Sequence, residues 1–257
     1  MPSEAPQGTV KVVAKAVAVL EALTAGEQTP GALSAAVDEP RSTVYRLLAT
    51  LEDQGLVEPG ARPGTFQLGM RLYALGRAVA GRFANVRAAA LPAMEELHRA
   101  TKQTIFLTVR RGLNGVCLER LDGQLVGVMI LPVGGTIPLH GGANVRALLA
   151  FEPRELWEEF IRHGRLEKFT PRTEITAAGL RAQLELIREQ GYAISDEDII
   201  PGIASIGAPV FDHSGAVRAS ISMSGPRPAV LGDGTRDNID RVLAAAAEIS
   251  RVLGHRD

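Results

Sequence analysis

Arg41, Ser42, Thr43, Tyr45 and Arg46 crowd one short stretch of the chain. Each can donate a hydrogen bond, and the two arginines are always charged. Such a cluster suits a regular polyanion. Arginine can grip guanine O6 and N7 with two bonds, whereas serine, threonine and tyrosine more often reach phosphate. A second group lies far along the chain: Ser222 and Ser224 are two positions apart in RASISMSGP. On a strand that spacing sends both hydroxyls to one side, where they suit ligand oxygens. Turn chemistry before Gly225 and Pro226 is the plainer alternative.

The donors must be held by a helix. Val44, Leu47, Leu48 and Leu51 fall at i, i+3, i+4 and i+7, one apolar stripe, so the donors lead an amphipathic helix. Two helices precede it. Residues 11–23 place Val13, Ala16, Val17, Leu20 and Leu23 on a face, and Gly26 stops that run. Thr29 and Pro30 then read as a cap and a first helical position. After a tight break at Asp38 and Glu39, Pro40 opens the donor helix, which ends near Gly55. Two short extended runs, 56–58 and 65–68, flank the turn PGARPG and predict a hairpin with Arg62 at its tip. Three helices and a hairpin predict a winged helix-turn-helix over residues 1–69, its donor helix entering the major groove N-terminus first. The free amides of that N-terminus add donors for a phosphate.

Residues 70–101 are rich in Ala, Leu and Arg and predict two helices broken near Asn85, the first a linker over 70–85. From 86 to 257 the texture is mixed. Strands are expected at 104–110, 116–121, 125–133, 192–195, 205–211 and 216–224. Helices are expected at 143–150, 154–163, 177–190 and 235–253. This alternation predicts an α+β domain with an antiparallel sheet.

The chain has 257 residues, 46% hydrophobic and 22% charged, with a net charge of −1, so it can build cores and is not coated in basic charge. Residues 1–85 hold eight basic and eight acidic side chains, so any nucleic-acid surface must be local. Asp38 and Glu39 should weaken its field. Two copies on a symmetric operator would offset modest affinity per copy. Cys117 is the one cysteine, which excludes an internal disulfide or a cysteine-built zinc cluster. No signal peptide or membrane-spanning run is evident, so a cytoplasmic protein without membrane contact is expected.

The sequence contains no GxSxG elbow, no His pair at metal-ligand helical spacing and no Gly-rich phosphate loop. No catalytic residue, metal or cofactor is therefore expected. Three other readings remain. An enzyme domain could ride on the DNA-binding head. Oxidation of Cys117, near Arg110, Arg111 and Arg120, could switch binding, although a strand cysteine is more often a small buried hydrophobe. The protein could also be a ligand-blind architectural binder.

Four stretches together resemble the IclR family of bacterial transcriptional regulators. PRSTVYRLLATLEDQGLVE resembles its recognition helix and first wing strand, and FQLGMRLYALG its second wing strand and linker start. LPVGGTIPLHGGANVRALLAF and GYAISDEDIIPGIASIGAPVFDHSGAVRASISMSGP resemble the signature stretches of its effector domain. The resemblance covers roughly residues 10–253. It implies a GAF-like effector-binding domain, a homodimer or homotetramer, a double-stranded DNA operator and a small organic effector, often an organic or aromatic acid. Some members repress and others activate.

The resemblance also implies pocket residues. Met129, Ile137 and Ile203 match apolar wall positions. Amides near Ala143 and Asn144, at the start of the helix after His140, could hold a carboxylate. His140 itself reads as satisfied by backbone. Ser222 and Ser224 match the family's serine pair. Ser195 stands where many relatives carry Asp, and Ser205 where they carry Cys, so a pocket lined by neutral hydroxyls is expected unless Asp196 shifts in. Val145 replaces a common glycine, and Glu39 a usual apolar residue.

Overall fold

The structure is a computed structural model that describes residues 10–123 and 131–256. It divides into two units, Met1–Phe83 and Ala84–Asp257.

In the first unit, α1 (Lys11–Ala22) runs into a 3-10 turn and ends at Gly26, whose φ of +115° suits glycine alone. Thr29 caps α2 (Pro30–Ala36) by accepting from the Ala32 amide at 3.2 Å. The turn to α3 (Arg41–Asp53) passes through Asp38 at φ +51°, and the Ser34 hydroxyl donates to Glu39 O at 2.6 Å to hold it. The stripe of α3 (Val44, Leu47, Leu48 and Leu51) is buried against Val19, Leu23 and Leu33. Strands β1 (Val57–Pro59) and β2 (Phe66–Leu68) pair antiparallel, and Gln28 bridges to Phe66 so the wing is tied to the α1–α2 connection. This is the winged helix-turn-helix. Helix α4 (Met70–Ala80) follows, with no buried residue, then a 3-10 turn over Gly81–Phe83.

The second unit opens with α5 (Ala84–Thr101), which carries Pro92 inside it. Then come β3 (Thr104–Arg111), β4 (Asn114–Leu121), β5 (Thr136–Pro138), α6 (Ala143–Ala150), α7 (Arg154–His163), α8 (Ala177–Gln190), β6 (Ala193–Asp196), β7 (Ile203–Phe211), β8 (Val217–Pro226), α9 (Arg227–Val230) and α10 (Thr235–Val252). The strands form one antiparallel sheet in the order β5-β4-β3-β8-β7-β6. Most of the run 125–133, expected as a strand, lies outside the described residues. Its described end, 131–133, is not a strand, and β5 stands just beyond it.

Residues directly opposite in an antiparallel sheet share a face. Ile206, Met223 and Ile105 make one cross-strand row, and Ala208, Ile221 and Leu107 the next. These rows face α5 and α10. The other face meets α6, all eight residues of which are buried. Helix α6 lies so close because Gly207 has no side chain: a Cβ there would sit 2.8 Å from Ala143 O and 3.1 Å from the Asn144 amide. Two bonds from Asn144 bolt it down. Its Nδ2 donates to Thr108 Oγ1 at 3.1 Å, and its carbonyl accepts from Ser220 at 2.7 Å. At the other end Trp157 Nε1 donates to Leu149 O at 2.6 Å, and Arg188 donates to Ala150 O and Glu152 O at 2.5 and 2.6 Å.

Gly207→Ala is expected to lower the stability of the second unit by about 1–3 kcal/mol through overpacking, read as a lower urea midpoint for its unfolding transition. An unchanged midpoint would show that α6 does not rest on this strand.

Candidate functional site

Two places carry chemistry, one in each unit. In the first, α3 begins at Pro40 with no side-chain cap, so its leading amides stay open. Arg41, Ser42, Tyr45 and Arg46 are exposed and Thr43 is half-buried. Tyr45 stands 56% exposed, a large ring with no core to fill. Arg41 leans over the start of α2, with its Nη2 3.2 Å from where a Gly31 Cβ would stand. Arg41 and Arg46 have no ion-pair partner among the described residues. The predicted donors therefore share one open helix end.

Arg62 behaves differently. At the wing turn its Nε donates to Glu27 Oε1 at 2.5 Å and its Nη2 to Glu27 O at 3.2 Å. Glu27 also receives the Arg62 amide and the Thr65 hydroxyl. Those bonds, the Arg62 amide first, hold the Glu27 carboxyl below its ordinary range. Arg62 is thus a tether of the wing as well as an exposed cation at its tip. Nothing local in the sequence marks Glu27, because 35 residues separate the pair. The expectation that Glu39 weakens the field also needs correction. Lys15 pairs with it at 2.6 Å, so its charge is neutralised.

In the second unit, a cavity of about 80 Å³ opens between the sheet, the start of α6 and the turn after β6. Ile137, Asn144, Ser195, Ile203, Ser205, Ser222 and Ser224 all line it, as do Phe106, Leu131, Ile199 and Ile200. Ala143, expected at the pocket, is fully buried in the core and is not among the lining residues. Met129 lies outside the described residues. The hydroxyls fall in register: Ser195 is opposite Ser205, Ser205 opposite Ser224, and Ser224 opposite Thr104, one row across four strands. Ser222 stands in the next row, between Gly207 and Phe106.

The lining carries no ionisable side chain among the described residues. Asp196 does not shift in. Strand alternation turns it away from Ser195, and it binds Arg227 at 2.6 and 3.1 Å and Arg172 at 3.3 Å, with Arg227 chiefly holding its carboxyl below the usual range. Any positive potential comes instead from the first turn of α6, whose amides have no intrahelical acceptor and no side-chain cap. The Arg188 guanidinium at its far end satisfies the carbonyls there.

Sequence reasoning missed a buried pair behind this wall. Arg146 Nη1 meets Asp198 Oδ2 at 2.5 Å, and Asp198 Oδ1 accepts the Ser195 hydroxyl. The two charges are 52 positions apart and no motif joins them. His140 donates from Nε2 to Glu167 O at 2.8 Å and stacks on Phe169, so most of its expected backbone role holds. Its Nδ1, however, has no partner among the described residues, and burial holds the imidazole below its ordinary pKa. Cys117 is fully buried, and desolvation pushes its thiol up to about 11, which argues against a thiolate switch.

Comparison with known proteins finds two family matches along the chain. A family described as the bacterial transcriptional regulator IclR C-terminal domain matches residues 80–251, and the IclR helix-turn-helix domain matches residues 12–60. The HTH-type transcriptional regulator KipR of Bacillus subtilis is 30% identical over 250 residues, covering 97% of this chain and 99% of that protein. The repressor AllR of Escherichia coli K12 is 29% identical over 251 residues, covering 96% and 92%. Among solved structures, the Thermotoga maritima IclR superimposes with a TM-score of 0.79 at 27% identity, covering 96% of this chain and all of that one. An IclR homologue from Microbacterium hydrocarbonoxydans, complexed with 4-hydroxybenzoate, gives 0.77 at 27% identity, covering 94% and 98%. The chain belongs to the IclR family: it is a ligand-responsive transcriptional regulator with a helix-turn-helix DNA-binding domain and a C-terminal effector-binding domain.

Proposed function

We propose that the effector is a small organic acid, aliphatic or aromatic, held in the cavity beneath α6, and that its binding alters how the Arg41–Arg46 end of α3 engages an operator. The observation that carries this reading is the pairing of uncapped amides at the start of a wholly buried helix with a row of serine hydroxyls. That combination stabilises an anion without a cation in the wall. The apolar remainder, Phe106, Leu131, Ile137, Ile199, Ile200 and Ile203, suits a hydrocarbon or aromatic body. The acid bound by the Microbacterium relative supports the same class.

At the other site, Arg41 and Arg46 are the candidate base readers, and Ser42, Thr43 and Tyr45 the candidate phosphate ligands. Arg62, held by Glu27, suits a backbone contact from the wing rather than a mobile reader. A domain of balanced charge binds weakly alone, so two heads on one symmetric operator fit it better. Exposed apolar side chains in the same unit agree: Val13 and Val17 of α1, grouped in the sequence with Leu23, stand open while Leu23 is buried, as do Val10 just before α1 and Met70 and Tyr73 on α4. We infer a homodimer, or a tetramer built from it, acting in the cytoplasm. No described helix is long and apolar enough to cross a membrane. The cavity reads as a binding site and not a catalytic one.

Three outcomes are expected. Arg46→Ala should weaken specific operator binding by about 1–3 kcal/mol in footprinting titrations and leave ligand affinity unchanged; equal operator affinity removes Arg46 from the reader. In a thermal-shift and calorimetric panel of small carboxylates, at least one should bind the purified protein, and Ser222→Ala with Ser224→Ala should abolish that binding while sparing basal DNA affinity. If no acid binds, the pocket assignment is wrong. In sedimentation, Val13→Glu with Val17→Glu should lower the assembly state; an unaltered one would place the interface elsewhere.

A further inference from the structure

The serines of the row are not equivalent. Ser195 spends its one proton on Asp198 Oδ1. The other carboxylate oxygen of Asp198 receives Arg146, which also donates to Ile194 O at 2.7 Å and His140 O at 3.3 Å. All three side-chain bearers are nearly sealed: Ser195 is 4% exposed, Asp198 7% and Arg146 3%. The Thr173 hydroxyl donates to Asp198 O at 2.5 Å and the Thr170 hydroxyl to Glu197 O at 2.8 Å, so the turn carrying the carboxylate is fastened from a second segment. By contrast, Ser205 and Ser222 make no side-chain hydrogen bond among the described residues, and their protons remain available to a ligand.

A hydroxyl that donates outward can only accept inward. We propose that Asp198 is a positioning residue that fixes Ser195 as a hydrogen-bond acceptor in the cavity wall, so that the pocket selects acids carrying a second donor, hydroxy acids above all, over the same acids without it. This rests on the reading of the cavity as an acid site. The cavity then has two polarities. The amides of α6 and the hydroxyls of Ser205 and Ser222 donate; Ser195 accepts. Ser195 Oγ lies 4.0 Å from where a Gly142 Cβ would stand, beside the start of α6, so one ligand can meet both kinds of partner. A bare carboxylate placed there would set its oxygen against the Ser195 lone pairs, or draw the proton off and leave Asp198 a donor short. A ligand O–H meets the lone pair and costs neither bond. Sites built around such a bond reject the analogue lacking it, because their own polar group is left unpaired.

The test is calorimetry on the full chain with matched acids: glycolate and acetate, lactate and propionate, 4-hydroxybenzoate and benzoate. In at least one pair the hydroxylated acid should bind roughly tenfold tighter or better. Ser195→Ala keeps the Arg146–Asp198 pair and should shrink that ratio to about twofold or less, while Ser195→Thr should restore it. Asp198→Asn, where it folds, lets the new amide donate to Ser195 and turns the serine proton inward; the ratio should then fall because the bare acid binds better. If that variant fails to fold, the two Ser195 variants decide the matter. Acids that bind with no preference for the hydroxyl, or a preference that survives in Ser195→Ala, overturn the role of Asp198 and leave the acid site standing. Failure of every acid to bind removes both.

Discussion

The second unit depends on holding α6 dry. A helix buried on every side cannot rely on water for its end groups, and each orphaned amide or carbonyl would cost free energy. The chain meets this at one end with side chains from the two helices that follow. Trp157 and Arg188 take the last carbonyls, and the Arg188 guanidinium lies over the Trp157 ring at 4.7 Å. Among the described residues the first amides have no such side-chain partners. Gly207 and Asn144 fix where those amides stand, so the unmet hydrogen-bonding capacity is concentrated at one point of the interior. A cavity opens at that point.

The same dependence on distant partners shows at two other places. Val145 of α6 packs toward β4. It fits because Gly115 on β4 faces it: a Cβ at Gly115 would stand 2.2 Å from Val145 Cγ1, so the volume added on the helix is removed from the strand. Glu39 before α3 carries a negative charge, and Lys15 of α1 answers it at 2.6 Å. Both are exchanges between segments distant in sequence. Each balances packing or charge across two elements of the chain.

What was legible in the sequence follows from this distinction. The stripe of α3, the Thr29–Pro30 cap of α2, the strand hairpins and the extents of α7 and α8 are set by periodicity and neighbours, and they read correctly. The serines at 195, 205, 222 and 224 were found through strand spacing and family resemblance, and β-sheet register brings them into one wall. Strand β5 was missed because three residues leave no period to detect. Glu27 beneath the wing and Asp198 behind Ser195 were missed for another reason. Their partners are 35 and 52 positions away, and an isolated acidic residue looks the same in sequence whether solvated or buried.

That difference bears on how the cavity can signal. Arg146 and Asp198 are buried together, and removing either partner of such a pair typically costs about 3–5 kcal/mol because the other is left uncompensated. The pair therefore acts as a fixed anchor between α6 and the turn after β6. The wall above it is apolar, and Thr170 and Thr173 fasten the start of its turn. Glu197 at φ +58° and Gly202 at φ +78° bracket Ile199 and Ile200, which line the cavity, and the ion pairs of Arg172 with Asp196 and Glu197 are partly exposed. Exposed pairs of this kind hold weakly. A ligand can shift an equilibrium only by as much as its affinity differs between the two states. With an acid held as proposed above, the floor of amides and hydroxyls supplies affinity common to both. On the same reading, the differential part is assigned to the isoleucine wall.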